Sequence, residues 1–300
     1  MTTTNMALAD GGLETWLVFH AGFDLPCFAA FPLLESDRGR DAMRRYFEPF
    51  LAVAEQRGLP FVLDTATWRA TPDWAAQLGY DRDRLGDANR AAVEFACELA
   101  KERPNVSING VIGPRGDGYV VGERMTADEA ADYHAWQVGV FAEAGVDRVT
   151  AVTMTYSEEA VGVIRAATSA GVPAVASFTV ETDGRLPDGT PLARAIDQVD
   201  EATGGAAEFL MINCAHPTHI AAGLGHAAGL ERIGGLRVNA SKLSHEELDA
   251  AEHLDEGDPV ELGRDNARLH DKLPSVRLLG GCCGTDHRHV AEIVAAWEAA

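Results

Sequence analysis

Eight short apolar runs, each followed by a stretch of helical length, recur from one end of this chain to the other. They are ALAD at 7–10, LPFVLDTAT at 59–67, NVSINGVIG at 105–113, VDRVTAVTM at 146–154, VPAVASFTV at 172–180, AEFLMINC at 207–214, GGLRVNAS at 234–241 and SVRLLGGC at 275–282. Each is β-branched or apolar enough to be covered on both faces, as the strands of a helix-flanked parallel sheet are. The intervening segments read as amphipathic helices; TADEAADYHAWQVGVFAEAG opens with Thr126 and Glu129 at capping-box spacing. Eight strand–helix units in 300 residues predict an α/β fold, a single (β/α)8 TIM barrel spanning residues 1–300 as one domain. The competing architecture, an open doubly wound sheet, usually has fewer units and a glycine-rich fingerprint after its first strand. DGGLET at 10–15 is too short a match for that fingerprint.

Charge narrows the partners. Forty-six acidic against 25 basic side chains give a formal net charge of −21, which repels phosphate backbones and anionic lipid alike. Neither nucleic acid nor a membrane surface is expected as a partner. The N-terminal MTTTNMALADGG has no basic or apolar leader pattern, and no run approaches the roughly 18 apolar residues of a membrane span, so a cytoplasmic protein is expected. Five cysteines without a secreted-scaffold spacing point to reduced thiols or metal ligands.

In a barrel of this kind, chemistry sits at the C-terminal ends of the strands. Those ends carry Asp10-Gly11-Gly12, Asp64-Thr65, Gly113-Pro114, Thr153, Ser177 and Thr179, Asn213-Cys214, Asn239 and Gly281-Cys282-Cys283. Adjacent side chains of an extended strand face opposite ways, so Cys282 and Cys283 reach one target only if the chain bends there. The flanking glycines suit such a bend. The sixth and eighth strands thus bring three thiols to one mouth, a set that suits zinc with one coordination place open; a vicinal disulfide and coincidence are the alternatives. Cys27 and Cys97 are expected in the core, the usual place of free cysteine. His216, His219, His287 and His289 are expected on helix surfaces or loops rather than as ligands.

Zinc bound by three thiolates keeps a net negative charge, making it a weak Lewis acid and a poor activator of water. It can still take up an incoming thiol and favour its ionised form. Alkyl transfer to sulfur, by in-line attack on an activated methyl group, is the chemistry such a site suits.

These motifs together resemble the homocysteine S-methyltransferase family of zinc-dependent barrels: DGGLET, GPRG at 113–116, FAEAGVD at 141–147, SFT with GRLPDGT around the fifth strand, INC at 212–214 and GGCCGT at 280–285. The resemblance implies Cys214, Cys282 and Cys283 as ligands of Zn2+. It implies that the backbone of Asp10, Gly11 and Gly12 receives the amino-acid end of the acceptor, in a substrate pocket with Phe28, Asp64, Thr65, Trp68, Thr153 and Asn213. The partners implied are small molecules, a thiol acceptor and a methyl donor. The length is similar to that of the short members, which use S-methylmethionine or S-adenosylmethionine, and homocysteine would become methionine.

Departures from the family pattern keep alternatives open. Val152 stands where the family has a glutamate that holds the acceptor's ammonium group, which allows a different small thiol or selenol as acceptor, or another onium donor. Asp64 shortens the usual acid, Phe28 replaces a tryptophan, and His287 replaces a proline. Phe28, Trp68 and Trp16 are candidate aromatic faces for a sulfonium donor. A non-catalytic barrel that binds zinc or a metabolite is the reading from another class.

Overall fold

Strands β1 (Ala7–Leu8), β2 (Phe61–Asp64), β3 (Val106–Ile112), β4 (Arg148–Met154), β5 (Ala174–Phe178), β6 (Leu210–Asn213), β7 (Ile233–Val238) and β8 (Leu278–Gly281) pair in chain order, every pair parallel. The ring closes where Ala7 lies opposite Leu278 and Leu8 opposite Leu279. This is the expected (β/α)8 barrel, seen in a computed structural model that describes residues 6–225 and 229–300. The helices are α1 (Leu13–Phe19), α2 (Asp37–Arg57), α3 (Pro72–Gln77), α4 (Arg82–Ala100), α5 (Ala127–Ala144), α6 (Ser157–Ala170), α7 (Leu192–Thr203), α8 (Pro217–Leu224), α9 (His245–Asp249), α10 (Pro259–Ala267) and α11 (His287–Glu298). None of the described helices is long and apolar enough to cross a membrane.

Local chemistry sets where these helices start and stop. The Ser36 side chain accepts from the Gly39 amide at the start of α2, and Gly58 ends that helix in the left-handed conformation. The predicted capping box of Thr126 and Glu129 is present at the start of α5.

Strand periodicity then divides the barrel into layers. Phe61 and Leu63 of β2, Val149 and Ala151 of β4 and Leu210 and Ile212 of β6 face outward into the main strand–helix core. Their neighbours Val62, Val175, Met211 and Leu278 form a separate apolar cluster with Ala9 and Phe209. Two residues further along the strands, the buried set turns polar: Asp64, Ser177, Asn213 and Arg237. Because side chains alternate with period two, these polar groups point the same way as the apolar cluster and cap it. The barrel therefore has an apolar floor beneath a hydrogen-bonded polar layer.

Candidate active site

The three cysteines meet at the mouth above that polar layer. Strand β6 ends at Asn213, and Cys214 follows with φ 55°, a left-handed conformation that costs energy for a residue with a side chain. Its carbonyl meets three side chains, Asn239 Nδ2 at 3.1 Å, His245 Nε2 at 2.7 Å and the Thr179 hydroxyl at 3.3 Å. The other ring nitrogen of His245 lies 2.9 Å from Glu181 Oε1. Both nitrogens face acceptors, an arrangement that favours the protonated ring. Burial opposes that charge, but Glu181 and the Cys214 carbonyl outweigh it and raise the imidazole above its usual range.

At β8 the amide of Cys282 still donates to the Val238 carbonyl at 2.8 Å, continuing the ladder, and the chain then turns. The Cys282 carbonyl accepts from the Thr285 amide at 3.1 Å and from its hydroxyl at 2.7 Å, and Gly284 has φ 77°. This is the bend that neighbouring thiols require. Its glycines serve two ends: Gly284 supplies the positive φ, whereas a β-carbon on Gly281 would lie 1.9 Å from the Thr285 hydroxyl.

Gly12 lets the first loop come equally close, since a β-carbon there would sit 2.6 Å from the Cys282 carbonyl oxygen and 3.0 Å from Cys283 Cα. Backbone atoms cannot swing aside. Gly12→Ala is expected to cost about 1–3 kcal/mol and to lower the melting temperature by about 2–5 °C; an unchanged thermal denaturation curve would show that the two loops are not in contact.

The sulfur atoms of Cys214, Cys282 and Cys283 all lie within 4.8 Å of one another, with 3.5 Å between Cys214 and Cys283. Tyr119, from the loop between β3 and α5, places its hydroxyl 3.0 Å from Cys214 Sγ and 3.7 Å from Cys283 Sγ. Hydrogen bonds from the other two cysteines, aided by the charge of Arg237, hold Cys282 well below the usual thiol range. Through the same contacts Cys214 and Cys283 are pushed up.

Arg237 is the group that organises the polar layer. Its guanidinium bonds both Asp10 and Asp64, and its Nε donates to the Gly281 carbonyl at 3.2 Å. Tyr46 donates to Asp10 at 3.0 Å, and Asn109 Nδ2 donates to Asp64 at 2.7 Å. Burial pushes the Asp10 carboxyl up to about 7 against the pull of Arg237 and Tyr46.

An inner pocket of about 80 Å3 is lined by the polar layer and the three cysteines. Asp10, Gly11, Gly12, Phe28, Asp64, Thr65, Trp68, Thr153 and Asn213 all line it, as does Val152. An outer chamber of about 350 Å3 shares Thr15, Phe28, Trp68, Tyr119 and Cys283 with it. Phe28 and Trp68 meet edge to face between the two spaces, their ring centres 6.4 Å apart.

A sequence model of the homocysteine S-methyltransferase family matches residues 7–297. The chain belongs to the homocysteine S-methyltransferase family. It is 28% identical over 258 residues to homocysteine S-methyltransferase YbgG of Bacillus subtilis (strain 168), covering 78% of each chain. Among solved structures it is similar in fold to the homocysteine methyltransferase MmuM of Escherichia coli. The oxidized form superposes with a TM-score of 0.77 at 22% identity, over 98% of this chain and 96% of that one. The metallated form gives a TM-score of 0.72, again at 22% identity and the same coverage. The chain is accordingly an S-methyltransferase.

Against that family pattern, several expectations need correction. Cys97 is exposed on the outer face of α4, because Val93, Ala96 and Leu99 take the buried stripe, and Cys27 is only partly buried. His216 and His289 are buried rather than superficial: His216 caps α8, and His289 bonds Asp286 at the start of α11 and the Glu256 carbonyl at 2.8 Å. Neither belongs to the cysteine cluster. Trp16 packs on Tyr46, with ring centres 5.7 Å apart, and does not line the inner pocket. The Asp10-Gly11-Gly12 loop lines the inner pocket, and within it the amides of Gly11 and Gly12 donate to the Tyr46 hydroxyl at 3.1 Å and the Thr285 carbonyl at 3.1 Å.

Arg237, Glu14, Tyr119 and His245 belong to the site but escape a reading of strand ends. Arg237 alone carries a signal, a charge inside the apolar run of β7. Tyr119 comes from a loop and His245 opens the five-residue helix α9, segments in which no long periodicity marks direction.

Proposed function

We propose that this chain transfers a methyl group from a sulfonium donor, S-methylmethionine or S-adenosylmethionine, to the thiolate of homocysteine, forming methionine, with Zn2+ held by Cys214, Cys282 and Cys283. The observation that carries the reading is the clustering of three sulfur atoms within 4.8 Å at a pocket mouth. Tetrahedral zinc with sulfur bonds of about 2.3 Å needs ligands about 3.8 Å apart, and three soft thiols fit that demand without rearranging the barrel. A zinc ion there would supply an open place for the acceptor sulfur and favour its ionised form.

The protein's own residues account for the rest. Phe28 and the face of Trp68 not covered by the Arg69 guanidinium, which lies 3.9 Å from its ring centre, border the two spaces and would attract a sulfonium cation and bring its methyl group towards the cysteines. The acceptor's sulfur lone pair forms the new bond to carbon. The donor's carbon–sulfur bond breaks, and its electron pair stays on the donor sulfur, leaving a neutral thioether. Asn213 stiffens the floor of the site: its Oδ1 accepts from the Thr153 amide at 2.9 Å and the Ser177 hydroxyl at 2.7 Å.

Purified protein incubated with homocysteine and each donor in turn is expected to form methionine, detected by mass spectrometry, and to lose that activity on chelation and regain it with zinc. Absence of methionine with both donors in zinc-loaded protein would overturn this reading. A second acceptor, a small thiol without an amino group, is favoured by Val152 and by the closure of Asp10 and Asp64 on Arg237.

A further inference from the structure

The inner pocket has three carboxylates, those of Asp10, Glu14 and Asp64. Two of them are committed. Asp10 bonds Arg237 and Tyr46, and Asp64 bonds Arg237 and Asn109. The guanidinium of Arg237 sits where a substrate ammonium would otherwise be drawn by the pair, and on the fourth strand Val152 presents only methyl groups to the same pocket.

We infer that Glu14 is the residue that selects the acceptor in this pocket, by pairing with its α-ammonium group. The inference rests on the proposed transfer to an amino-acid thiol. Glu14 stands in the first turn of α1, two positions past the Asp10-Gly11-Gly12 loop that packs against the cysteine turn. It is partly buried and lines the pocket, yet among the described residues no side chain donates to it, and only its own backbone amide does so. Burial, with the negative charges of Cys282 and Asp10, pushes its carboxyl up to about 7. An anion held in that state gains from a cation placed beside it.

The cation must also donate hydrogen bonds to use the carboxylate fully. An ammonium group does so, giving short charge-assisted bonds. A sulfonium has no N–H to offer and is better served by Phe28 and Trp68. Glu14 and the cysteines line one small pocket, so an acceptor with a thiol and an ammonium a few carbons apart can address both. The anionic anchor has thereby moved from the barrel wall to the first helix.

The test compares homocysteine with 4-mercaptobutyrate, which keeps its chain and carboxylate and lacks the ammonium. Calorimetric binding to zinc-loaded protein is expected to favour homocysteine. Glu14→Gln should weaken homocysteine about 10- to 100-fold, the scale of one charge-assisted hydrogen bond. It should leave 4-mercaptobutyrate within about twofold, and in turnover it should raise the KM for homocysteine with little change in kcat. A variant that weakens both thiols equally, or neither, overturns the assignment, as does wild-type protein that binds both alike. Preference for homocysteine, lost in Glu14→Gln, in a protein that forms no methionine would uphold the role of Glu14 while sinking the proposed reaction. Methionine formation without that preference would do the reverse.

Discussion

Metal-free Cys283→Ala protein is expected to fold and melt within about 2 °C of the metal-free parent, yet to bind zinc at least about 100-fold more weakly and to form no detectable methionine. The small stability change follows from the site: Cys283 is partly buried, and a lost sulfur atom on a turn leaves little cavity. The large functional change follows because, among the described residues, no further histidine, cysteine or acid joins the cluster. His245, the imidazole beside the cluster, has its two nitrogens committed to Glu181 and the Cys214 carbonyl. Cys27→Ala is the matched control, since it removes a thiol outside the cluster. Metal content by atomic emission and methionine by mass spectrometry decide the matter; full zinc occupancy in Cys283→Ala would refute the three-cysteine site.

Arg237→Met should lower the stability of the protein by about 3–5 kcal/mol, the usual cost of removing one member of a buried ion pair, or about 5–8 °C in melting temperature for a chain of this length. Two carboxylates, Asp10 and Asp64, would be left facing each other at the barrel mouth without their common cation. The effect has a pH signature. Asp10 already lies above its unfolded value of 3.8, at about 7, and Arg237 is the main influence that lowers it. Without that cation the folded-state value rises further. A carboxyl raised in this way favours the fold below its unfolded value and loses that contribution as pH climbs through the folded one. The deficit relative to the parent is therefore smallest in acid and largest above pH 7. Adding Asp64→Asn should recover part of the loss, because the two sites are coupled. Melting curves for variant and parent that stay parallel from pH 6 up to pH 9, with no growing deficit above pH 7, would contradict this account.

Much of the fold was legible because eight runs of strand length, each separated by a segment able to form a helix, leave few ways to cover both faces of every strand. The cysteine site was legible for a related reason. Closing the ring puts the ends of β6 and β8 near each other at one mouth, so Asn213-Cys214 and Gly281-Cys282-Cys283 had to converge there if the barrel formed. Residues on helices and loops were less readable. Cys97 sits among apolar neighbours, yet a helix turns 100° per residue, and that rotation carries its thiol into solvent while Ala96 stays buried.

The sequence by itself determined the barrel, the sulfur cluster and the family, because each depends on the order and spacing of residue types along the chain. Tertiary structure alone decided that Arg237 closes on Asp10 and Asp64, that Tyr119 and His245 brace the cysteines, and that Glu14 is left as the uncommitted acid of the pocket. Those outcomes turn on strand register and on where loops fold back. Contacts between groups up to 227 positions apart are set by three-dimensional closure, for which no local pattern in the chain stands proxy.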